Sequence, residues 1–335
     1  MATAALPIRP GVLRNPRGAV NFARIVVAYN VLVVLWGALV RATGSGAGCG
    51  NHWPLCNGQV IPLSPTLHTI IEFVHRQMVT GSVLAMILLA TWAIRSTTKG
   101  AAARVFLGIS AFLLLNEAFL GALLVKLGYV TGNQSLGRVI VLSVHLSNTL
   151  LLLAALTLTA RMLYTRQRWQ DLRAQGKILA IAITGFIATL VVGVSGSLAA
   201  LGDTLFPATS LRAAFAQDFD ANSPWLLRLR GVHPLSAVIA AAFVAWLITR
   251  AFRSGKPSAA KAVLALLVLQ FVLGFADVLL LAPTWMQIVH LFGADLYWIA
   301  LISLTAQIIW PTSHVTARKQ TQKSPAMAAG LHAHL

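Results

Sequence analysis

Residues Ile140–Ala160 read IVLSVHLSNTLLLLAALTLTA, without one acidic or basic side chain. A helix needs about 20 apolar residues to cross the hydrocarbon of a bilayer, and this run has that length. The strand of a membrane barrel would alternate apolar and polar residues, whereas this segment is apolar throughout, so it reads as a helix. It also carries a single imidazole, His145, at a depth where polar groups are costly.

Outward from this run the same reading repeats. Val105–Val125 and Ala262–Leu281 are equally apolar, and the whole chain of 335 residues is 57% hydrophobic and only 10% charged. A soluble domain carries about 25% charged residues, so the expected solvent is lipid. The sequence predicts an all-α polytopic membrane protein. Its eight spans fall near 20–42, 68–95, 101–126, 138–164, 177–200, 227–251, 259–281 and 285–310.

The net charge of +18 would suggest nucleic acid in a soluble protein. Here the basic residues sit in short connections between apolar runs, where they set topology, so nucleic acid is not an expected partner. Arg9, Arg14, Arg17 and Arg24 precede or open the first span. Further groups lie after the second span (Arg95, Lys99, Arg104), the fourth (Arg161, Arg166, Arg168, Arg173, Lys177) and the sixth (Arg250, Arg253, Lys256, Lys261). With Arg318, Lys319 and Lys323, 19 of the 26 basic residues fall on one side. The expected placement is therefore a bacterial inner membrane with both termini cytoplasmic. No secretory signal is expected, because an apolar core followed by a small-residue cleavage site is missing. The Arg-rich, acid-free start also fits the composition of a mitochondrial presequence.

Of nine histidines, His314, His332 and His334 lie in the C-terminal tail, His52 in the first outer loop and His68 at the membrane edge. The other four, His75, His145, His233 and His290, fall in spans two, four, six and eight, about five to seven residues after each span begins. At 1.5 Å per residue that places all four roughly 8–11 Å deep, in one layer. A lone intramembrane histidine usually bonds a neighbouring helix. Four at one depth point instead to metal, and paired imidazoles suit heme iron. Zinc is disfavoured because no compact ligand cluster is present. A di-iron site would need a second Glu-x-x-His motif beside Glu72–His75.

Order along the chain suggests a repeat. Leu120-Gly121 precedes His145-Leu146 as Leu273-Gly274 precedes His290-Leu291, and spans two and six carry His75 and His233. The expected architecture is two pseudo-symmetric four-helix bundles. The expected divisions are a cytoplasmic tail (1–19), a first half (20–170), a second half (171–311) and a disordered basic tail (312–335). Only the first half holds Glu72, one turn before His75, and the cysteines Cys49 and Cys56. On the oxidising face of a membrane a disulfide between them is favoured over two free thiols. Glu117 and Asp277 are intramembrane acids with no assigned role.

At these residues the sequence resembles the heme A synthase family. The stretch from Gly37 to Gly46 (GALVRATGSG), running on through Cys49 and Trp53–Gly58, is similar to the family's first-loop signature, and Glu72-Phe73-Val74-His75-Arg76 to its second motif. The resemblance implies that heme O, the substrate, sits between His75 and His145. Its ring methyl would be oxidised by two hydroxylations and a dehydration to a formyl group, for cytochrome oxidase biogenesis. It also implies heme b as cofactor between His233 and His290, Glu72 as the catalytic residue, either accepting a proton or stabilising positive charge at the methyl carbon, and Arg76 as the best propionate partner among Arg41, Arg76, Arg228 and Arg230. Heme O synthase, an electron donor, lipid and, in a homo-oligomer, a second copy are the partners to consider. A non-enzymatic di-heme cytochrome explains the four histidines equally well but not the acid and cysteines confined to one half. A porphyrin transporter would predict weaker ligation.

Overall fold

The computed structural model describes residues 16–172 and 176–311. The basic residues Arg9, Arg14 and Arg173, and the expected tail from residue 312 with its three histidines, lie outside the described residues. The helices are α1 (Pro16–Ala42), α2 (Leu67–Ser96), α3 (Ala102–Lys126), α4 (Leu136–Thr165), α5 (Gly176–Leu205), α6 (Leu211–Phe219), α7 (Trp225–Arg228), α8 (Val232–Arg253), α9 (Pro257–Leu279) and α10 (Thr284–Ile309). With α7 and α8 counted as one span, Trp225–Arg253, eight helices are long and apolar enough to cross a membrane. The chain is a multi-pass membrane protein.

Local chemistry explains where helices begin and end. Thr66 caps α2 by accepting from Thr69 N at 3.2 Å, and Ser135 caps α4 by accepting from Arg138 N at 3.2 Å. The last carbonyls of a helix lack internal donors. Those of α2 are served by Arg104, which donates to Ile94 O at 2.6 Å and also to Thr97 O. Pro257 opens α9, where its missing N–H costs nothing.

Two differences from the sequence expectation concern the outer side. Span six is not one continuous helix: α7 stops at Arg228 and α8 starts at Val232, so His233 sits in its first turn. Gly231 disfavours helix continuation, and Pro234, which lacks an N–H, is tolerated only in a first turn. The fifth span also runs to Leu205 rather than ending near 200. Asp203, in that added turn, pairs with Arg230 Nε at 2.8 Å, which holds a charged helix end against α7.

Helix α1 packs on α2 and α4, and α3 on α4 and α2. Among the later helices α5 packs on α8 and α10, and α9 on α8 and α10. The two sets meet where α4 and α1 touch α10 and α5. Lipid is as apolar as leucine, so packing and interhelical hydrogen bonds carry the association. Helices α1 and α2 are joined by Tyr29 OH to Met78 O at 2.9 Å, Trp36 Nε1 to Ile71 O at 2.9 Å and Ser82 Oγ to Asn30 Oδ1 at 2.8 Å. Between the sets, Trp298 of α10 is 1% exposed and donates to Leu150 O of α4 at 2.8 Å. Its ring lies 4.5 Å from that of Phe186 on α5.

Trp298 thus ties three helices. Trp298→Phe, which removes the N–H and keeps most of the ring, is expected to cost about 1 kcal/mol. Trp298→Ala, which opens a cavity, is expected to cost about 3–5 kcal/mol. Thermal unfolding in detergent measures both.

Candidate functional site

Each of the four intramembrane histidines rests against a glycine of the neighbouring odd-numbered span. A Cβ added at Gly37 of α1 would lie 3.1 Å from His75 Cε1, and one at Gly274 of α9 would lie 3.3 Å from His290 Cε1. At Gly196 of α5 it would lie 2.8 Å from His233 Cε1, and at Gly121 of α3, 3.7 Å from His145 Nε2. Gly37, Gly121 and Gly274 each stand five residues before the end of their helix, so three of the four contacts lie at a similar distance from one end of their helices.

In the later helices the rings of His233 and His290 lie edge to face, with centroids 6.3 Å apart and planes at 79°. Two imidazoles gripping one metal at about 2 Å per bond would have ring centres about 6 Å apart, so this pair fits an iron held from both sides. His233 Nδ1 lies 3.1 Å from Val192 O and 3.4 Å from Ser195 Oγ. A carbonyl can only accept, so Nδ1 carries the proton and the lone pair remains on Nε2. His290 Nδ1 has no hydrogen-bond partner among the described residues.

In the earlier helices His145 Nδ1 lies 2.8 Å from Glu117 Oε1. Glu117 also accepts from Asn148 Nδ2 at 2.6 Å and from the Thr149 hydroxyl. Asn116 in turn donates to Asn148 Oδ1 at 2.8 Å. His145 and Glu117 stand within electrostatic range of His75, whose own Nδ1 has no partner among the described residues.

The expected disulfide joins Cys49 to Cys56. Its loop is held onto α2 by a buried clamp. Glu72, 3% exposed, accepts from Cys49 N at 2.8 Å with one oxygen and from Arg76 Nη2 at 2.5 Å with the other. Arg76 then donates through Nη1 to His52 O and Leu55 O, each at 2.7 Å. Gly48 allows the close approach, since a Cβ there would sit 2.4 Å from His68 O. His68 itself bonds Ser45 Oγ at 3.0 Å.

The other arginines marked in the sequence are engaged nearby. Arg41 reaches across to Thr204 Oγ1 at 3.2 Å and Gln287 Oε1 at 2.9 Å, bridging α1 to α5 and α10. Arg230 pairs with Asp203 and, at 3.4 Å, with Asp218, and Arg228 donates to Ala221 O at 2.6 Å. Asp277 is half-buried, and its Oδ1 has no partner among the described residues.

Sequence reasoning left Glu117 without a role and missed Gly196. Both had a signal. Glu117 precedes Gly121 by four residues as Gln270 precedes Gly274, and Gly196 lies one span before His233 as Gly37 does before His75.

The profile of the COX15-CtaA family, described as cytochrome oxidase assembly protein, matches residues 21–302. The chain belongs to this family. As a member of the cytochrome oxidase assembly family it is 36% identical over 166 residues to heme A synthase of Shouchella clausii, covering 47% of this chain and 52% of that protein. It is 40% identical over 136 residues to heme A synthase of Alkalihalophilus pseudofirmus, covering 40% of this chain and 43% of that protein. A Thermus thermophilus protein named protoheme IX farnesyltransferase is 41% identical over 299 residues, 86% of this chain and 48% of its own length. The chain spans about half the length of the curated relatives it matches.

Two expectations follow for this family member. Gly196→Ala drives a methyl into a rigid ring and should displace His233, whereas Gly121→Ala should be tolerated. Heme retained per protein after purification, read by absorbance, is expected to fall sharply for the first and little for the second. Arg76→Met removes the clamp, and the loop around Trp53 should then exchange its amide hydrogens faster than in the unaltered protein.

Proposed function

We propose that this chain is a heme A synthase that converts heme O to heme A in the bacterial inner membrane, both termini being cytoplasmic. The observation that carries the reading is the close pair of imidazoles, His233 and His290, with ring centres 6.3 Å apart, in a member of a family of cytochrome oxidase assembly proteins. Heme b is assigned to this pair, where it would supply one-electron chemistry. His233, held by Val192, and His290 bind and orient it.

Heme O is assigned to the first half, between His75 and His145. Its ring methyl is hydroxylated twice, each time exchanging a C–H for a C–OH bond at the expense of a two-electron oxidant supplied from outside the chain, and the gem-diol loses water to leave the aldehyde. Glu72 stands one turn before His75, the placement that supports its assignment as proton acceptor or as a negative charge facing the reacting carbon. Through Cys49 N and Arg76 the same carboxylate holds the disulfide loop over this end of the bundle, which keeps water from the pocket. Arg76 retains one N–H of its guanidinium for a propionate, and Arg41 is a second candidate.

The division into halves is supported by the packing. Helices α1, α2, α3 and α4 meet one another in the same cyclic order as α5, α8, α9 and α10, and each half contributes two glycine-backed histidines. We infer from this a pseudo-twofold axis along the membrane normal. The match to half of a protoheme IX farnesyltransferase supports farnesylated heme as the substrate and a heme O synthase as its supplier.

The test is pigment analysis by liquid chromatography and mass spectrometry, with the chain expressed beside a heme O supply in a host that lacks heme A. Heme A formed only with the intact chain is the expected result. Heme O left unconverted beside bound heme b would instead identify an electron-carrying cytochrome. His233→Ala with His290→Ala is expected to lose tightly bound heme b. Glu72→Ala should abolish heme A while the protein still inserts.

A further inference from the structure

We propose that Glu117 is the positioning residue of the first half: it fixes His145 as the permanent axial ligand of the substrate's iron and leaves His75 as the ligand that exchanges. The inference rests on the reading that a heme lies between these two histidines. It concerns which of them holds the iron throughout and why.

The two imidazoles are supported very differently. His145 Nδ1 lies 2.8 Å from a carboxylate oxygen that is itself immobilised. Asn148 Nδ2 reaches Glu117 Oε2 at 2.6 Å, Thr149 donates to Oε1, and Asn148 is held by Leu113 O at 2.9 Å and by Asn116 at 2.8 Å. This network spans α3 and α4, the faces on which the glycine contact between Gly121 and His145 also lies. The carboxylate lies within ion-pair distance of Nδ1, so it holds the Nδ1 edge of the ring and leaves Nε2 for iron. His75 has nothing comparable. Among the described residues no carboxylate pairs with its Nδ1, which like that of His145 makes no well-aligned hydrogen bond, and Gly37 lies against its ring on the α1 side. The enthalpy of keeping His75 on the iron comes from the coordinate bond alone.

The second half shows that this is a device and not a requirement of the fold. Gln270 occupies the position four residues before Gly274 that Glu117 occupies before Gly121. It is neutral, its Nε2 has no partner among the described residues, and neither has His290 Nδ1. The anchored histidine there is His233, and its acceptor is the uncharged carbonyl of Val192 at 3.1 Å. An anionic acceptor makes an imidazole a stronger electron donor than a carbonyl does. The first-half iron therefore receives more electron density along the His145 bond, which favours its ferric state. It opens, when it opens, on the α2 side, beside Glu72 and the Cys49–Cys56 loop.

The experiment uses the full chain in nanodiscs with His233→Ala and His290→Ala, so that added hemin reports on the first half alone. Adding His75→Ala should leave hemin bound and create a position that takes up imidazole or carbon monoxide. Adding His145→Ala should weaken hemin binding by more than His75→Ala does. Adding Glu117→Gln keeps the size and an acceptor oxygen but removes the charge. It should weaken hemin binding on the order of 10–100-fold and move the midpoint potential upward, with Glu117→Asp returning the potential toward the parent value. A merely structural Glu117 would leave the potential unchanged. The inference is overturned if the potential does not move in a Glu117→Gln protein that binds hemin. It is also overturned if His145→Ala holds hemin better than His75→Ala, a comparison independent of how well any Glu117 variant folds. If the parent double variant binds no hemin while the unaltered chain does, the two-pocket reading itself falls, and this inference with it.

Discussion

Carbon atoms in contact pack at about 3.5–4.0 Å. The Cβ positions of Gly37, Gly196 and Gly274 lie nearer than this to the rings of His75, His233 and His290. Only hydrogen can face those rings, and every other part of the site presupposes that clearance. Because α1 can approach α2 so closely, Trp36 and Tyr29 reach carbonyls of α2, and the hydrogen bonds that replace hydrophobic association in lipid become available. The imidazoles are then placed in the space between helices, and the one that bonds a neighbouring backbone, His233 to Val192 O, does so through Nδ1 and keeps Nε2 for a metal.

On this common frame the two halves diverge chemically. The first carries three anionic or covalent additions: Glu117 behind His145, Glu72 under the outer loop, and the disulfide that closes that loop. The second carries neutral supports, the Val192 carbonyl and Ser195, beside a pair of rings that already lie 6.3 Å apart. A site that must keep one redox group needs only geometry and a dry pocket. A site that must admit a substrate, react and release it needs charge that can be directed and a cover that can be held. Glu72 and Glu117 would fit that division, whereas Asp277 and the fully buried Asp295 belong to the second half and lie outside it.

The fold was largely legible because lipid demands long apolar runs, and such runs are unmistakable. The four histidines stood out for the same reason: an imidazole among leucines needs an explanation. What the sequence concealed was local. The break between α7 and α8 lies at Leu229-Arg230-Gly231, where the chain tightens into three-residue turns before Pro234, and a tertiary pair between Arg230 and Asp203 stands beside it. Glu117 could not be assigned because its three partners, His145, Asn148 and Thr149, lie on another helix, and which face of α3 meets which face of α4 is not written in a uniformly apolar pattern. Glu72 was visible as a motif, but its hold on Cys49 N and on Arg76 required the loop's path to be known.

The glycine contacts also act as keys to helix register. A slip of one residue along the axis moves a helix by 1.5 Å and turns it by about 100°. It would bring Trp36 or Ala38 into the place of Gly37, and Leu273 or Phe275 into that of Gly274. Each substitute would strike an imidazole, so no intermediate alignment is comfortable. A continuous sliding coordinate between smooth apolar cylinders is thereby converted into a single seated position, reached by three independent locks. Helices that have little else in their sequence to tell one turn from the next are told apart by the few places where a side chain is missing.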